Sequence, residues 1–215
     1  MRKLIFCLIL AIAVLPVSAQ YKETFDSNSL GWTECAFQNP IGTAVIDRGV
    51  MTVKSKGEKK GLSALASAAS GTAVKAGVNT FFETHCYAPL NMERPFEIRA
   101  RVNVKQLGFD RLVGLIFNYR DGGNFYCFSF NDDFVKFTRY VDNVEVGDVM
   151  QGIRWQGKRR TDMEWVLTYD GSMLRFSVDG EPMLTIRYMP LSYSGVGFYS
   201  FGNQELIVDE IEFVQ

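Results

Sequence analysis

Histidine is almost missing from this 215-residue chain, which has only His85. One histidine excludes a zinc site built from several imidazoles. His85 lies in Phe81-Phe82-Glu83-Thr84-His85-Cys86. A Cys-His catalytic couple there is disfavoured, because neighbouring residues on a strand point to opposite faces. His85 therefore reads as a buried or edge side chain. No glycine loop fit to cradle phosphate is present: Gly195-Val196-Gly197 lies in a strand and lacks the helix that should follow. Basic excess is lacking too, with 23 Lys and Arg against 24 Asp and Glu. Nucleic acid, which wants clustered positive charge, is not an expected partner. The densest basic run, Lys158-Arg159-Arg160 beside Gly157, reads as a solvated loop.

Long apolar runs are scarce. The one present, Leu4 to Leu15, follows Met1-Arg2-Lys3 and precedes Pro16 and Val17-Ser18-Ala19. Its twelve residues fall short of the roughly 20 that span a bilayer. A charged start, a short apolar run and small residues before a cut form a secretory signal. The expectation is a signal peptide at 1–19, a domain at 20–215, and a secreted or periplasmic, cell-envelope location. A lipoprotein would carry its cysteine at the cleavage point, whereas Cys7 lies inside the apolar run. No transmembrane segment is expected after cleavage. Loss of Arg2 and Lys3 leaves 21 basic against 24 acidic side chains, a net charge of −3.

Cysteine is also sparse, with Cys35, Cys86 and Cys127 beyond the leader. Three cannot all pair within one chain. Cys127, among Phe125, Tyr126 and Phe128, reads as a small core residue. Cys35 with Cys86 remains the candidate disulfide of an oxidising compartment, although spacing does not establish the geometry.

Short runs rich in Val, Ile, Phe, Tyr and Thr alternate with Gly, Asn and Asp, which is the punctuation of strands. Pro95 to Val104 places Phe96, Ile98, Ala100, Val102 and Val104 on one face. Arg111 to Arg120 is a second long strand, with Val113, Leu115, Phe117 and Tyr119 expected on one side. Asp121-Gly122-Gly123 and Asn131-Asp132-Asp133 turn the chain into further strands, and Asp170-Gly171 and Asp179-Gly180 favour hairpin turns. About thirteen strands are expected. Only Ser55 to Asn79, rich in small residues and glycine, departs from the pattern, as a surface excursion or short helix. Consecutive hairpins without intervening helices predict an all-β, two-sheet antiparallel β-sandwich.

Three segments resemble the secreted concanavalin A-like sandwiches, the laminin-G-like and family-16-like group of bacterial exported proteins. The first is Phe25-Asp26-Ser27-Asn28-Ser29-Leu30-Gly31-Trp32. The second runs from Val113 to Asp121 and on through Asn124-Phe125-Tyr126-Cys127-Phe128. The third comprises Trp165 to Tyr169, Leu174 to Gly180, Gly195 to Phe198 and Val208 to Ile211, in the family's order. The resemblance implies a jelly roll whose concave sheet often meets carbohydrate. It leaves the function open.

Glycoside hydrolysis needs two carboxyl groups a few ångströms apart, and the catalytic branch of this resemblance carries them as E-x-D-x-x-E. This chain lacks that motif. Its nearest cluster, Asp209-Glu210-Ile211-Glu212, has the wrong spacing, and Asp209 reads as structural. In related jelly rolls such an acid sometimes helps to hold calcium, but six oxygen ligands cannot be assembled here. No metal, cofactor or catalytic residue is assigned. The leading expectation is a non-catalytic carbohydrate-binding or glycan-associated domain. A glycoside-active enzyme and an envelope protein-interaction domain are the alternatives. Sugar sites combine aromatic faces with planar hydrogen-bonding groups, which selects Asn118, Arg120, Asn124, Tyr126, Arg139, Tyr140 and Trp155 as ligand-binding candidates. Trp32 and Trp165 are expected in the core.

Overall fold

The computed structural model describes residues 19–35, 41–56, 81–105, 107–154, 161–187 and 189–215. The expected surface excursion lies almost wholly outside these residues, as do Trp155 and the basic run at 158–160. The strands are β1 (Gln20–Glu23), β2 (Gly42–Asp47), β3 (Val50–Ser55), β4 (Phe81–Tyr87), β5 (Phe96–Val104), β6 (Leu112–Asp121) and β7 (Asn124–Phe130). They continue as β8 (Phe134–Val141), β9 (Val144–Gly152), β10 (Asp162–Tyr169), β11 (Met173–Val178), β12 (Glu181–Arg187), β13 (Gly195–Phe201) and β14 (Gln204–Val214). All pair antiparallel, in two sheets. The first runs β12-β11-β10-β5-β14-β3-β2, with β1 also on β14, and the second runs β4-β13-β6-β7-β8-β9.

Alternation of apolar residues drives this arrangement, since a period of two puts one face of a strand inward. In β5 all five expected residues, from Phe96 to Val104, are buried. Met163, Trp165, Leu167 and Tyr169 do the same in β10. Between the sheets, Phe128 of β7 stacks on Phe176 of β11 at 5.3 Å, and Trp165 meets Phe130 edge-on at 5.3 Å. Trp32 stacks on Phe198 at 5.6 Å. Both tryptophans are core residues, and each such burial contributes roughly 2–3 kcal/mol.

The Phe25–Trp32 element closes one end of this interior. Buried Glu23 accepts the backbone N–H groups of Phe25 and Leu30, and Asn28 Oδ1 accepts the N–H of Trp32 at 2.6 Å. Gly31, at φ +66°, occupies the left-handed region that glycine tolerates best.

Three features differ from the sequence expectations. Tyr119 does not share a face with Val113, Leu115 and Phe117. Asn118 adopts φ +49° and the β6–β7 register shifts between Phe117 and Asp121, so the bulge turns Tyr119 to the opposite side. Asp209 sits at a similar shift in β14, between Val208 and Glu210, and is exposed. Cys35 and Cys86 are free thiols, as is Cys127. Burial pushes the Cys86 and Cys127 thiols well above their ordinary range, which makes them poor nucleophiles.

Candidate functional site

The outward face of the six-stranded sheet carries a second cluster, separate from the main core. Ile116, Tyr119, Phe125, Cys127, Tyr140 and Tyr199 form it, with Phe81, Leu112 and Phe201 packed alongside. The rings make a continuous row. His85 stacks on Tyr119 at 3.9 Å, Tyr119 on Phe125 at 6.0 Å, and Phe125 on Tyr140 at 4.5 Å. Phe81 completes it by stacking on Tyr199 at 5.1 Å. Strand alternation places His85 and Phe125 on this face, and the β6 bulge at Asn118 turns Tyr119 to join them.

Polar groups border the rings at three stations. The first is on edge strand β4. His85 Nδ1 lies 3.0 Å from Glu83 Oε2, and Tyr119 donates its hydroxyl to Glu83 Oε1 at 3.1 Å. On the other side of the ring, His85 Nε2 lies 3.2 Å from Thr33 Oγ1, so both ring nitrogens are engaged. Burial first, and then the neighbouring Glu83 charge, raise the Tyr119 phenol well above its usual range. Cys86 points into the core, so the two residues do lie on opposite faces.

The second station is the turn end of β6 and β7. Tyr87 and Tyr193 are 58 % and 41 % exposed. Arg120 Nε donates to Asp121 at 2.8 Å, and the Arg120 guanidinium lies close to Tyr193. Asn124 Nδ2 donates to Asp121 Oδ1 at 2.8 Å. Tyr87 donates its hydroxyl to the Arg120 carbonyl at 3.4 Å. The loop that carries Tyr193 is fixed from below: Asn118 Oδ1 accepts the N–H groups of Ser192 and Tyr193, and Tyr126 donates to the Pro190 carbonyl at 3.3 Å.

The third station is a pocket of about 160 Å³ lined by Leu112, Cys127, Ser129, Lys136, Thr138, Tyr140, Glu145, Tyr199 and Phe201. The Tyr140 hydroxyl lies between that of Tyr199 and the Glu145 carboxylate. Lys136 forms an ion pair with Glu145 across β8 and β9. Burial pushes both tyrosine hydroxyls well above their ordinary range.

Four of the sequence candidates meet at the second station. Arg120 and Asn124 share Asp121, while Asn118 and Tyr126 support the neighbouring loop. Tyr140 belongs to the pocket instead. Arg139 pairs with Tyr126 across β7 and β8 and lies against Gly147. Trp155 lies outside the described residues. Sequence reading missed Tyr87, Tyr193, Lys136 and Glu145. Tyr193 sits in a loop with no periodicity, and the two pocket charges meet only through the pairing of β8 with β9. No group of three or more His, Cys, Asp or Glu side chains able to hold a metal ion occurs among the described residues.

No family model and no curated protein matches the sequence. Solved structures do resemble the fold. A Bacteroides ovatus GH16 protein, from a mixed linkage glucan PUL and in complex with a G4G4G3G product, superposes with a TM-score of 0.59 at 7 % identity. That match covers 90 % of this chain and 99 % of the other. A Bacillus subtilis protein of unknown function with a galectin-like fold gives 0.58 at 12 %, covering 90 % and 94 %. The Bacillus licheniformis beta-glucanase gives 0.54 at 10 %, covering 90 % and 97 %. With two antiparallel sheets around one core, this is a concanavalin A-like sandwich. At these identities the likeness establishes the fold and leaves the chemistry to the site.

Proposed function

We propose that this chain is an exported, non-catalytic carbohydrate-binding domain that meets its glycan on the outward face of the six-stranded sheet. The observation that carries this is the second station. Two exposed tyrosines flank Arg120, Asp121 and Asn124, the mixture of apolar ring and planar polar group that a sugar's faces and hydroxyls require. The backbone of the Tyr193 loop is held from below by buried Asn118, so that side of the station is preorganised and little affinity is lost to ordering it. Sandwiches of the same fold include a beta-glucanase and a GH16 protein solved with a glucan product. That association supports a glycan as the ligand.

The separation of Glu83 from Glu145 argues against hydrolysis by that pair. The outward positions of central strands β13, β6 and β7 carry Gly195, Gly197, Tyr199 and Phe201, then Leu112, Gly114 and Ile116, then Phe125, Cys127 and Ser129. Asp121, at the turn end of β6, is the carboxylate these strands bring to the face, and it is held by Arg120 and Asn124. Glu83 and Glu145 stand on β4 and β9, the two edges of the sheet. Five strand spacings separate those edges, about 24 Å of sheet. A hydrolytic pair needs about 5–10 Å.

The sequence 1–19 supports secretion to the envelope or beyond, with cleavage before Gln20. Amino-terminal sequencing of the exported product checks that point. For binding, the chain from Gln20 onward should be retarded in gels that contain soluble β-glucan, xylan or fructan. Tyr193→Ala and Tyr87→Ala should each weaken retention about tenfold with unchanged thermal melting. Retention by none of these polysaccharides, from a chain with a cooperative melt, would sink the proposal. Release of reducing sugar that is lost on Glu83→Gln would replace it with a hydrolase.

A further inference from the structure

Two cationic side chains on or beside the outward face are paired with acids: Arg120 with Asp121 at 2.8 Å, and Lys136 with Glu145. In the pocket the Lys136 and Glu145 side chains retain 19 % and 32 % of their exposure. Partial burial makes charge count for more there than on an open surface.

We infer that this face selects uncharged sugars and rejects uronates and sulfated sugars, with the Lys136–Glu145 pair as the discriminating element. This rests on the glycan-binding proposal and names the class of glycan. A sugar carboxylate entering the pocket would seek Lys136. To reach it, the carboxylate must take the place of Glu145 or sit beside it. The first outcome leaves a partly buried anion without its partner, and the second places two like charges together.

A sugar hydroxyl meets neither obstacle. Glu145 offers about four acceptor sites, and Lys136 engages one of its oxygens. The Tyr140 and Tyr199 hydroxyls line the same pocket and serve as donor or acceptor. Ser129 and Thr138 add hydroxyls that serve in either role. Acceptors for sugar O–H groups therefore stand beside donors for sugar oxygens, with no net charge to be matched. At roughly 30 Å³ per water, a pocket of about 160 Å³ has the scale of a single sugar ring.

Calorimetric titration of the chain from Gln20 onward tests this with cellotetraose, laminaritetraose, xylotetraose and a fructotetraose against tetragalacturonate. At least one neutral tetrasaccharide should bind, and tetragalacturonate should bind at least tenfold more weakly. Glu145→Gln releases Lys136 from its acid and should shift the ratio of affinities at least tenfold toward tetragalacturonate. Lys136→Met should shift it the other way, which keeps the test open if Glu145→Gln melts early. Tetragalacturonate as the tightest wild-type ligand overturns the inference, as does a ratio unmoved by both substitutions. Either result leaves glycan binding standing. A chain that binds none of the five, and is not retarded by the polysaccharides either, overturns both.

Discussion

Asp121 is an exposed side chain with an unusually full set of donors. Asn124 Nδ2 and the Gly123 N–H reach one oxygen at 2.8 and 3.0 Å, and Arg120 Nε reaches the other at 2.8 Å. The hydrogen bond from Asn124 contributes most, followed by that from Arg120, and together they lower the carboxyl from 3.8 to about 2. Asp170 is held well down by the same device, chiefly through the N–H groups of Met173 and Ser172. A carboxyl with a depressed folded pKa stabilises the fold fully above its unfolded value and loses that contribution as pH falls through the folded one. The window for Asp121 therefore runs from about pH 4 down to about pH 2. Denaturant midpoints measured across it should fall less steeply for Asp121→Asn than for the parent, and the two curves should converge near pH 2. Parallel curves would show that these donors do not distinguish the charged carboxyl from the neutral one.

At the scale of a strand, β6 shows how one residue reassigns a face. Asn118 is buried, holds φ +49°, and gives its side-chain oxygen to two backbone N–H groups of the loop that carries Tyr193. Asn118→Ala removes the acceptor and places a residue ill suited to that φ, and should cost about 2–3 kcal/mol in urea unfolding. Asn118→Gly keeps the backbone conformation and loses only the clamp, so its cost should be smaller. Equal costs would place the whole effect in the clamp.

The same bulge marks the limit of what alternation discloses. In β5 and β10 an unbroken period of two predicts every inward residue. In β6 the period predicts Val113, Leu115 and Phe117 and then fails at Tyr119, because an inserted residue leaves no trace in hydrophobicity. Strand β9 went unread for a different reason. Its Val144, Val146, Val149 and Met150 are exposed at a sheet edge, where burial does not enforce alternation, and that concealed Glu145 and the pocket. Arg120 and Asn124 were legible because they flank a Gly-Gly turn. Their partners Tyr87 and Tyr193 come from distant segments that only the folded sheets bring near.

For the molecule as a whole, β14, last in order of the described strands, stands inside the first sheet. Strand β14 pairs with β1, β3 and β5 along its length. Until residues 204–214 are present, β3 and β5 expose facing edges that nothing fills, and an unpaired edge invites association. Most pairings in that sheet also join residues far apart in sequence, so folding is expected on the millisecond-to-second scale of high-contact-order β proteins. A chain ending at residue 203 loses Leu206, Val208, Ile211 and Phe213 from the interior. Four large apolar side chains at roughly 2 kcal/mol each approach the whole stability of an ordinary domain, about 5–15 kcal/mol. The truncated chain should keep strand signal in the far ultraviolet, lose its near-ultraviolet signal and bind ANS. Melting as cooperative as that of the full-length chain would instead mean that the two halves of the sheet stand without the strand between them.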